Sequence, residues 1–216
     1  MKKGAIFDMD GLLFDTEKYY QESWVTLAGE FGVEHKPEFL KAVSGTSKES
    51  MFEVIRSFYP TIDVQEFVRR CLEMVEKRTQ VSIDEKPGLH EILTFFRENG
   101  VRMAIGSSST RAVIENNLRT AGITDYFDCI VSGQEIKRGK PDPEIFLLAA
   151  KGLGLSAEDC YVFEDAVNGI RAGAAAGCAA VMIPDLAEPT QEIYRISAGV
   201  YESLNQALLA LRRGEI

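Results

Sequence analysis

The sequence is short of the residues that build many active sites. Its 216 residues hold two histidines, one tryptophan and four cysteines. Cys71, Cys129, Cys160 and Cys178 stand far apart, with no CxxC and no histidine nearby. That spacing argues against a zinc cage or a disulfide framework and favours reduced, mostly buried thiols of the kind found in a reducing compartment. Long apolar runs are missing too. The longest weakly apolar stretch, residues 172–183, is mostly alanine and glycine and falls well short of the ~20 residues that span a bilayer. A run of only three apolar residues, Ala5 to Phe7, leads into Asp8, too few for the core of a secretion signal. No membrane and a cytoplasmic location are therefore expected. Basic residues are outnumbered, 24 against 33 acidic, for a net charge of −9. Such a surface argues against nucleic acid as a partner and leans towards a monomer. It also means that an anionic substrate would have to be attracted by local groups. Internal repeats and low-complexity tracts are absent as well.

What is present is an alternation. Residues 4–7, 101–105, 129–131, 161–163 and 180–183 are short apolar or β-branched runs, each followed at once or one residue on by Gly, Ser, Asp or Pro, and read as buried strands. Val200 is a candidate start for a sixth. Helical patterns lie between them, at about 89–99, 111–121, 143–153, 168–176 and 204–212. Strand–helix alternation predicts an α/β fold, a doubly wound parallel sheet with helices on both faces. One interval breaks the rule. From Glu17 to Ile83 the pattern is helical throughout (19–31, 37–43, 48–58, 64–81), too long for an ordinary crossover. The expected organisation is a core of residues 1–15 and 84–216, with an inserted all-helical cap at 16–83.

Four stretches carry candidate chemistry. The first, DMDGLLFDT at residues 8–16, follows the first strand. Residues i and i+2 of a strand share a face, so Asp8 and Asp10 would project together if the chain stays extended. That end of the strand is where open α/β sheets bind ligands. Two adjacent carboxylates invite a hard cation such as Mg²⁺, although a plain polar turn at Asp10-Gly11 explains the same letters. The second stretch closes another strand with Glu164 and Asp165. One of Asp165 and Asn168 could simply cap the next helix, which still leaves a carboxylate over. The third, Gly106 to Thr110 (GSSST), places Ser107 and Ser108 where hydroxyls and N–H groups at a helix start can seat a phosphate; an ordinary N-cap at Ser109 or Thr110 is the alternative. The fourth is Lys140 within GKPDP, a lysine in a proline-stiffened loop, able to offset phosphate charge.

Taken together, DMDGLLFDT, GSSS, GKPDPEIF and VFEDAVNGIRAGAAAG resemble the haloacid dehalogenase superfamily, in the branch with a helical cap after the first strand. The subgroup it is similar to contains β-phosphoglucomutases and sugar-phosphate phosphatases, and the resemblance covers essentially the whole chain. It implies that Asp8 is a nucleophile forming an aspartyl-phosphate. Asp10 would be the general acid/base, with its carbonyl on Mg²⁺. Ser107 would bind phosphate, Lys140 would order nucleophile and phosphate, and Asp165 would be a Mg²⁺ ligand assisted by Glu164. In the cap, the loop with Gly45 and Lys48 resembles the subgroup's specificity loop. Lys48 stands where the mutase has an arginine, and a lysine grips phosphate less firmly; a solvated lysine at a helix start is the alternative. Tyr20 replaces a mutase histidine tied to acid/base control.

The expected function is a Mg²⁺-dependent phosphatase acting on a small phosphorylated metabolite, a sugar phosphate above all. A hexose-phosphate mutase is the alternative. Asp10 argues against a dehalogenase, which needs no leaving-group acid, and a phosphonate hydrolase would require a Schiff-base lysine in the cap, for which Lys48 is a weak candidate. A phospho-acceptor signalling domain of the response-regulator type is more remote: it has about half this length and no helical insert.

Overall fold

The structure, a computed structural model, describes residues 1–43 and 48–216, with residues 48–50 described in backbone only. The chain enters through strand β1 (Gly4–Phe7) and then runs through four helices, α1 (Glu17–Glu30), α2 (Pro37–Val43), α3 (Lys48–Phe58) and α4 (Val64–Val81). Asp63 starts α4 by accepting the N–H groups of Gln65 and Glu66 at 3.0 and 3.1 Å, the usual service of an aspartate at a helix N-terminus. These helices bury a core of their own, in which Trp24 stacks on Phe67 at 5.2 Å and meets Phe39 edge-on at 5.9 Å. The partly buried Ile83 packs against this core and also against one beneath the sheet. Entry and exit of the helical block lie side by side: Asp15 N–H donates to Asp84 O (2.8 Å) and Lys86 N–H to Leu13 O (2.9 Å). Lys18 spans the two connections, 2.9 Å from Asp15 and 2.7 Å from Asp84.

The remaining chain alternates: α5 (Leu89–Glu98), β2 (Arg102–Ser107), α6 (Arg111–Thr120), β3 (Cys129–Ser132), α7 (Glu144–Gly152), β4 (Cys160–Glu164), α8 (Val167–Ala175), β5 (Ala179–Met182), α9 (Gln191–Ile196), β6 (Gly199–Val200) and α10 (Leu204–Arg213). Every strand pairing is parallel, in the order β3-β2-β1-β4-β5-β6. The strands read as unbroken apolar runs because both faces are covered. In β1, Ala5 and Phe7 pack against a cluster that includes α5, α6 and α10, while Ile6 packs with α7 and α8 on the other side. Phe7 stacks on Phe163 of β4 at 5.0 Å. The expected α/β class and the six strands are both observed. Helix α9 was not foreseen. It is six residues long and buries only Ile193, too little for a periodic signal.

Helix α8 lies close over β4 because glycine faces the sheet. A Cβ at Gly169 would stand 1.8 Å from the carboxyl carbon of Glu164. Glu164 has no room to yield, since its side chain is 2 % exposed and is held by Lys140 and by Ala166 N–H. Gly169→Ala would gain up to ~1 kcal/mol of helix propensity, against an overpacking cost of ~1–3 kcal/mol that the overlap drives to its upper end. A net loss of about 1–2 kcal/mol is expected in urea unfolding of this variant.

Candidate active site

Strand order determines where a site can form. From β1 the chain builds outward through β2 and β3, then crosses back to lay β4 on the other side of β1. The gap between β1 and β4 is thus the topological switch point, where open α/β sheets hold ligands beyond the strands' carboxyl ends. Phe7 pairs with Phe163, and Asp8 N–H extends the ladder to Phe163 O at 3.0 Å. Asp8 and Glu164 therefore emerge next to each other. Lys140 comes in from the β3–α7 loop. Besides its prolines, that loop is pinned by Glu144, which accepts the N–H groups of Lys137 and Arg138 at 3.0 Å, and by Asp142, which accepts Glu144 N–H at 3.0 Å.

The Lys140 ammonium donates to Asp8 Oδ1 and, at 2.6 Å, to Glu164 Oε1. It also lies 5.0 Å from the centre of the Phe146 ring. The Lys140 and Asp8 side chains are each only 10 % exposed. Burial by itself would lower the lysine's pKa, but Asp8 and then Glu164 push it up, so it stays charged. In a simple ion pair the acid would fall as the base rises. Asp8 instead rises to about 7, chiefly through burial, with Lys140 opposing and Glu164 and Asp10 adding to the rise. The two directions are reconciled by burial, which raises Asp8 by more than the one ammonium it shares with Glu164 lowers it. Asp165 is likewise raised well above its ordinary value, by burial first and then by Glu164 and Asp8.

Asp165 does not cap α8; the N-cap is Ala166, with no side-chain bond. Nor does the Asp165 carboxylate accept any hydrogen bond among the described residues. It abuts Gly11, whose φ of +81° turns the chain after Asp10; a Cβ there would lie 2.5 Å from Asp165 Oδ2, so the turn requires glycine twice over. Glu164 differs from its expected part as a metal ligand. Its Oε1 is taken by Lys140 and its Oε2 by Ala166 N–H at 2.9 Å, so as placed it anchors the lysine.

Asp8 and Asp10 do not share a strand face, because β1 stops at Phe7 and Asp10 bridges to Phe14. Asp8 faces Lys140, whereas Asp10 is held by two hydroxyls, Thr16 Oγ1 to Oδ1 and Ser109 Oγ to Oδ2, both at 2.8 Å. Burial raises the Asp10 pKa, with the two hydroxyls and Lys140 opposing. The serine run divides its labour. Ser107 is buried and its Oγ accepts Ser109 N–H at 3.1 Å, Ser108 is exposed, and Thr110 caps α6. Gly45 lies outside the described residues, as does the side chain of Lys48.

Several neighbours of this group escaped the sequence reading. Thr16 was visible inside DMDGLLFDT, and Ser109 in the serine run, but nothing local distinguished hydroxyls aimed at Asp10 from caps. Glu17 opens α1 and is pushed up to about 7, by burial and then by Asp10 and Asp185, with Lys86 opposing. Asp185 follows β5 and pairs with Lys86 at 2.6 Å. Its only signal was a position just beyond a strand's carboxyl end.

The donors suit a hard divalent cation. Asp8 and Asp165 offer carboxylate oxygens, the Asp10 carbonyl accepts no hydrogen bond among the described residues, and the local charge is in negative excess. Among the described residues no three His, Cys, Asp or Glu side chains form a ready cage. Mg²⁺ needs no such cage, since it is held by one or two carboxylates and otherwise by waters and phosphate.

Comparison with known proteins agrees with this architecture. Residues 5–183 match the family model described as haloacid dehalogenase-like hydrolase. The chain is 29 % identical to a phosphorylated carbohydrates phosphatase of Thermotoga maritima, over 99 % of this chain and 92 % of that one. It is 33 % identical to the fructose-1-phosphate phosphatase of Escherichia coli, over 82 % and 94 %. The solved β-phosphoglucomutase of Clostridium difficile superposes with a TM-score of 0.81 at 27 % identity, covering 100 % and 97 %. By sequence match, sheet order and the placement of its acidic side chains at the switch point, the chain belongs to the haloacid dehalogenase-like hydrolases.

Proposed function

We propose that this chain is a Mg²⁺-dependent phosphatase of small phosphorylated metabolites, sugar phosphates above all, working through an aspartyl-phosphate on Asp8. The observation that carries the reading is the Lys140 ammonium held between Asp8 and Glu164 at the switch point, with Asp10 fixed by two hydroxyls alongside. The carbohydrate phosphatases among its relatives support the substrate class.

In this reading an Asp8 oxygen attacks phosphorus and the ester oxygen departs, splitting one displacement into two easier steps. Asp10, whose pKa burial raises, carries the proton that the departing alkoxide needs. The same carboxylate then takes a proton from the water that opens the acyl-phosphate. Lys140 orients Asp8 and balances charge on the phosphoryl oxygens, and Ser107 with the N–H groups before α6 seats them. Mg²⁺, held by Asp8, Asp165 and the Asp10 carbonyl, would supply the positive charge that the transferring phosphoryl group requires. Glu164 serves by fixing Lys140. Residues 16–83 act as the cap, with 1–15 and 84–216 as the core, and the paired connections at Asp15 and Asp84 as the place where it moves.

A mutase reading is kept alive by the β-phosphoglucomutase likeness. A mutase must keep water from its phosphorylated aspartate. Tyr20, standing where the resemblance puts a histidine, lies within the electrostatic reach of Asp10, and this change favours transfer to water. Release of free phosphate from glucose 1-phosphate, rather than formation of glucose 6-phosphate, is the expected outcome of a coupled assay.

Three results test the mechanism. Asp8→Asn should hydrolyse no phosphomonoester while keeping a cooperative unfolding transition. EDTA should abolish turnover of the native protein and Mg²⁺ should restore it; unchanged activity after chelation would remove the metal from the scheme. With p-nitrophenyl phosphate, whose leaving group needs no proton, Asp10→Ala should release about one equivalent of nitrophenolate and then slow by ~10²–10⁴-fold, the usual worth of a positioned acid/base.

A further inference from the structure

Three side chains near Asp10 neither move a proton nor hold phosphate in the scheme above. Glu17 and Tyr20 are three residues apart on α1, hence on one face of it, and both feel the charge of Asp10. The Glu17 carboxylate has neither a hydrogen bond nor an ion pair among the described residues. The third is Asp185, whose side chain is 13 % exposed. Its Oδ1 takes the Lys86 ammonium at 2.6 Å. Its Oδ2 is buried with no donor, and would be 3.3 Å from a Cβ on Gly11, which puts it on the Asp165 side of the turn after Asp10. Lys86 is itself tied down, its N–H bonded to Leu13 O at 2.9 Å.

The charges in this region are one-sided. Both described lysines near the site, Lys140 and Lys86, are already engaged by carboxylates. The alcohol that leaves by way of Asp10 would therefore meet two carboxylates with spare acceptor capacity and a phenol. Carboxylate acceptors match hydroxyl donors, and an unfilled acceptor penalises a substrate that brings none. A carboxylate or second phosphate in the same place would face like charge in a poorly solvated setting.

We propose that Glu17 and Asp185 set substrate choice: they accept hydrogen bonds from the hydroxyls of an uncharged polyol leaving group and exclude phosphoesters that carry a second anionic group. The proposal rests on the phosphatase reading and names the class of ester that the same site takes.

The test is a matched pair, sorbitol 6-phosphate and 6-phosphogluconate, which differ at C1 as hydroxymethyl against carboxylate. Each is assayed for free phosphate beside p-nitrophenyl phosphate. The native chain should favour the polyol ester at least tenfold in kcat/KM, about 1.4 kcal/mol of discrimination, mostly through KM. Glu17→Gln and Asp185→Asn each remove a charge at constant shape and should narrow that ratio severalfold by improving KM for the gluconate. A native ratio near or below one, turnover of the aryl ester alone, or a ratio unmoved in both variants would overturn the proposal while leaving a phosphatase. No phosphate from any of the three esters would overturn the phosphatase reading and this proposal with it.

Discussion

The buried ammonium of Lys140, shared by Asp8 and Glu164, is the interaction on which the rest of the site depends. It is a single cation facing three carboxylates, with Asp165 as the third. Removing one partner of a buried pair costs on the order of 3–5 kcal/mol, so each member holds the others in place. Negative charge here remains unfavourable, chiefly because it is buried and then because the carboxylates repel one another, and both Asp8 and Asp165 are raised as a result. A marginally stable chain can tolerate little such strain, and the apolar clusters on both sides of the sheet and within the helical block are where stability is found. The arrangement is costly as architecture and useful as chemistry.

Two features of the fold bring these charges together. Parallel pairing of β1 with β4 aligns Asp8 beside Glu164 through the register of the strands themselves. Helix α8 then settles low enough for Ala166 N–H to reach Glu164, because Gly169 carries no side chain. Lys140 needs a rigid approach to this point. Its loop is held by Glu144 and Asp142 accepting backbone N–H groups, so the charged side chain is set before any substrate arrives.

Much of this could be read from the letters. The strands showed because each is an apolar run buried on both faces, and the helical insert showed because 67 residues from Glu17 to Ile83 without a strand cannot be a simple crossover. Asp8, Lys140 and Asp165 showed through their position after strands or in a stiffened loop. What stayed hidden depends on where the chain turns. Strand β1 ends at Phe7, so the period-two rule that would have set Asp8 and Asp10 on one face does not reach Asp10. Its partners are Thr16 and Ser109, the second 99 residues distant in sequence, and no local pattern encodes that meeting. The resemblance implied that Glu164 assists Asp165 at a metal, yet neighbours at a strand end point to opposite faces, and Glu164 went to the lysine. Asp185 belongs to a loop after β5, and only strand order brings it near β1.

A phosphate monoester carries its charge at one end and, in a polyol ester, hydroxyls at the other. The protein as a whole, at −9, repels the charged end, so attraction has to be local and short in range, inside the ~8–10 Å over which salt screens exposed charges. On the proposed reading the site divides in the same way as the ester. Lys140, the N–H groups before α6 and a divalent cation would face the phosphoryl group, while Glu17, Tyr20 and Asp185 would face the alcohol. Turning the ester around would put phosphate against carboxylates and hydroxyls against an ammonium already engaged. On that reading the polarity of the site would orient the substrate before chemistry begins and would present the ester oxygen to Asp10.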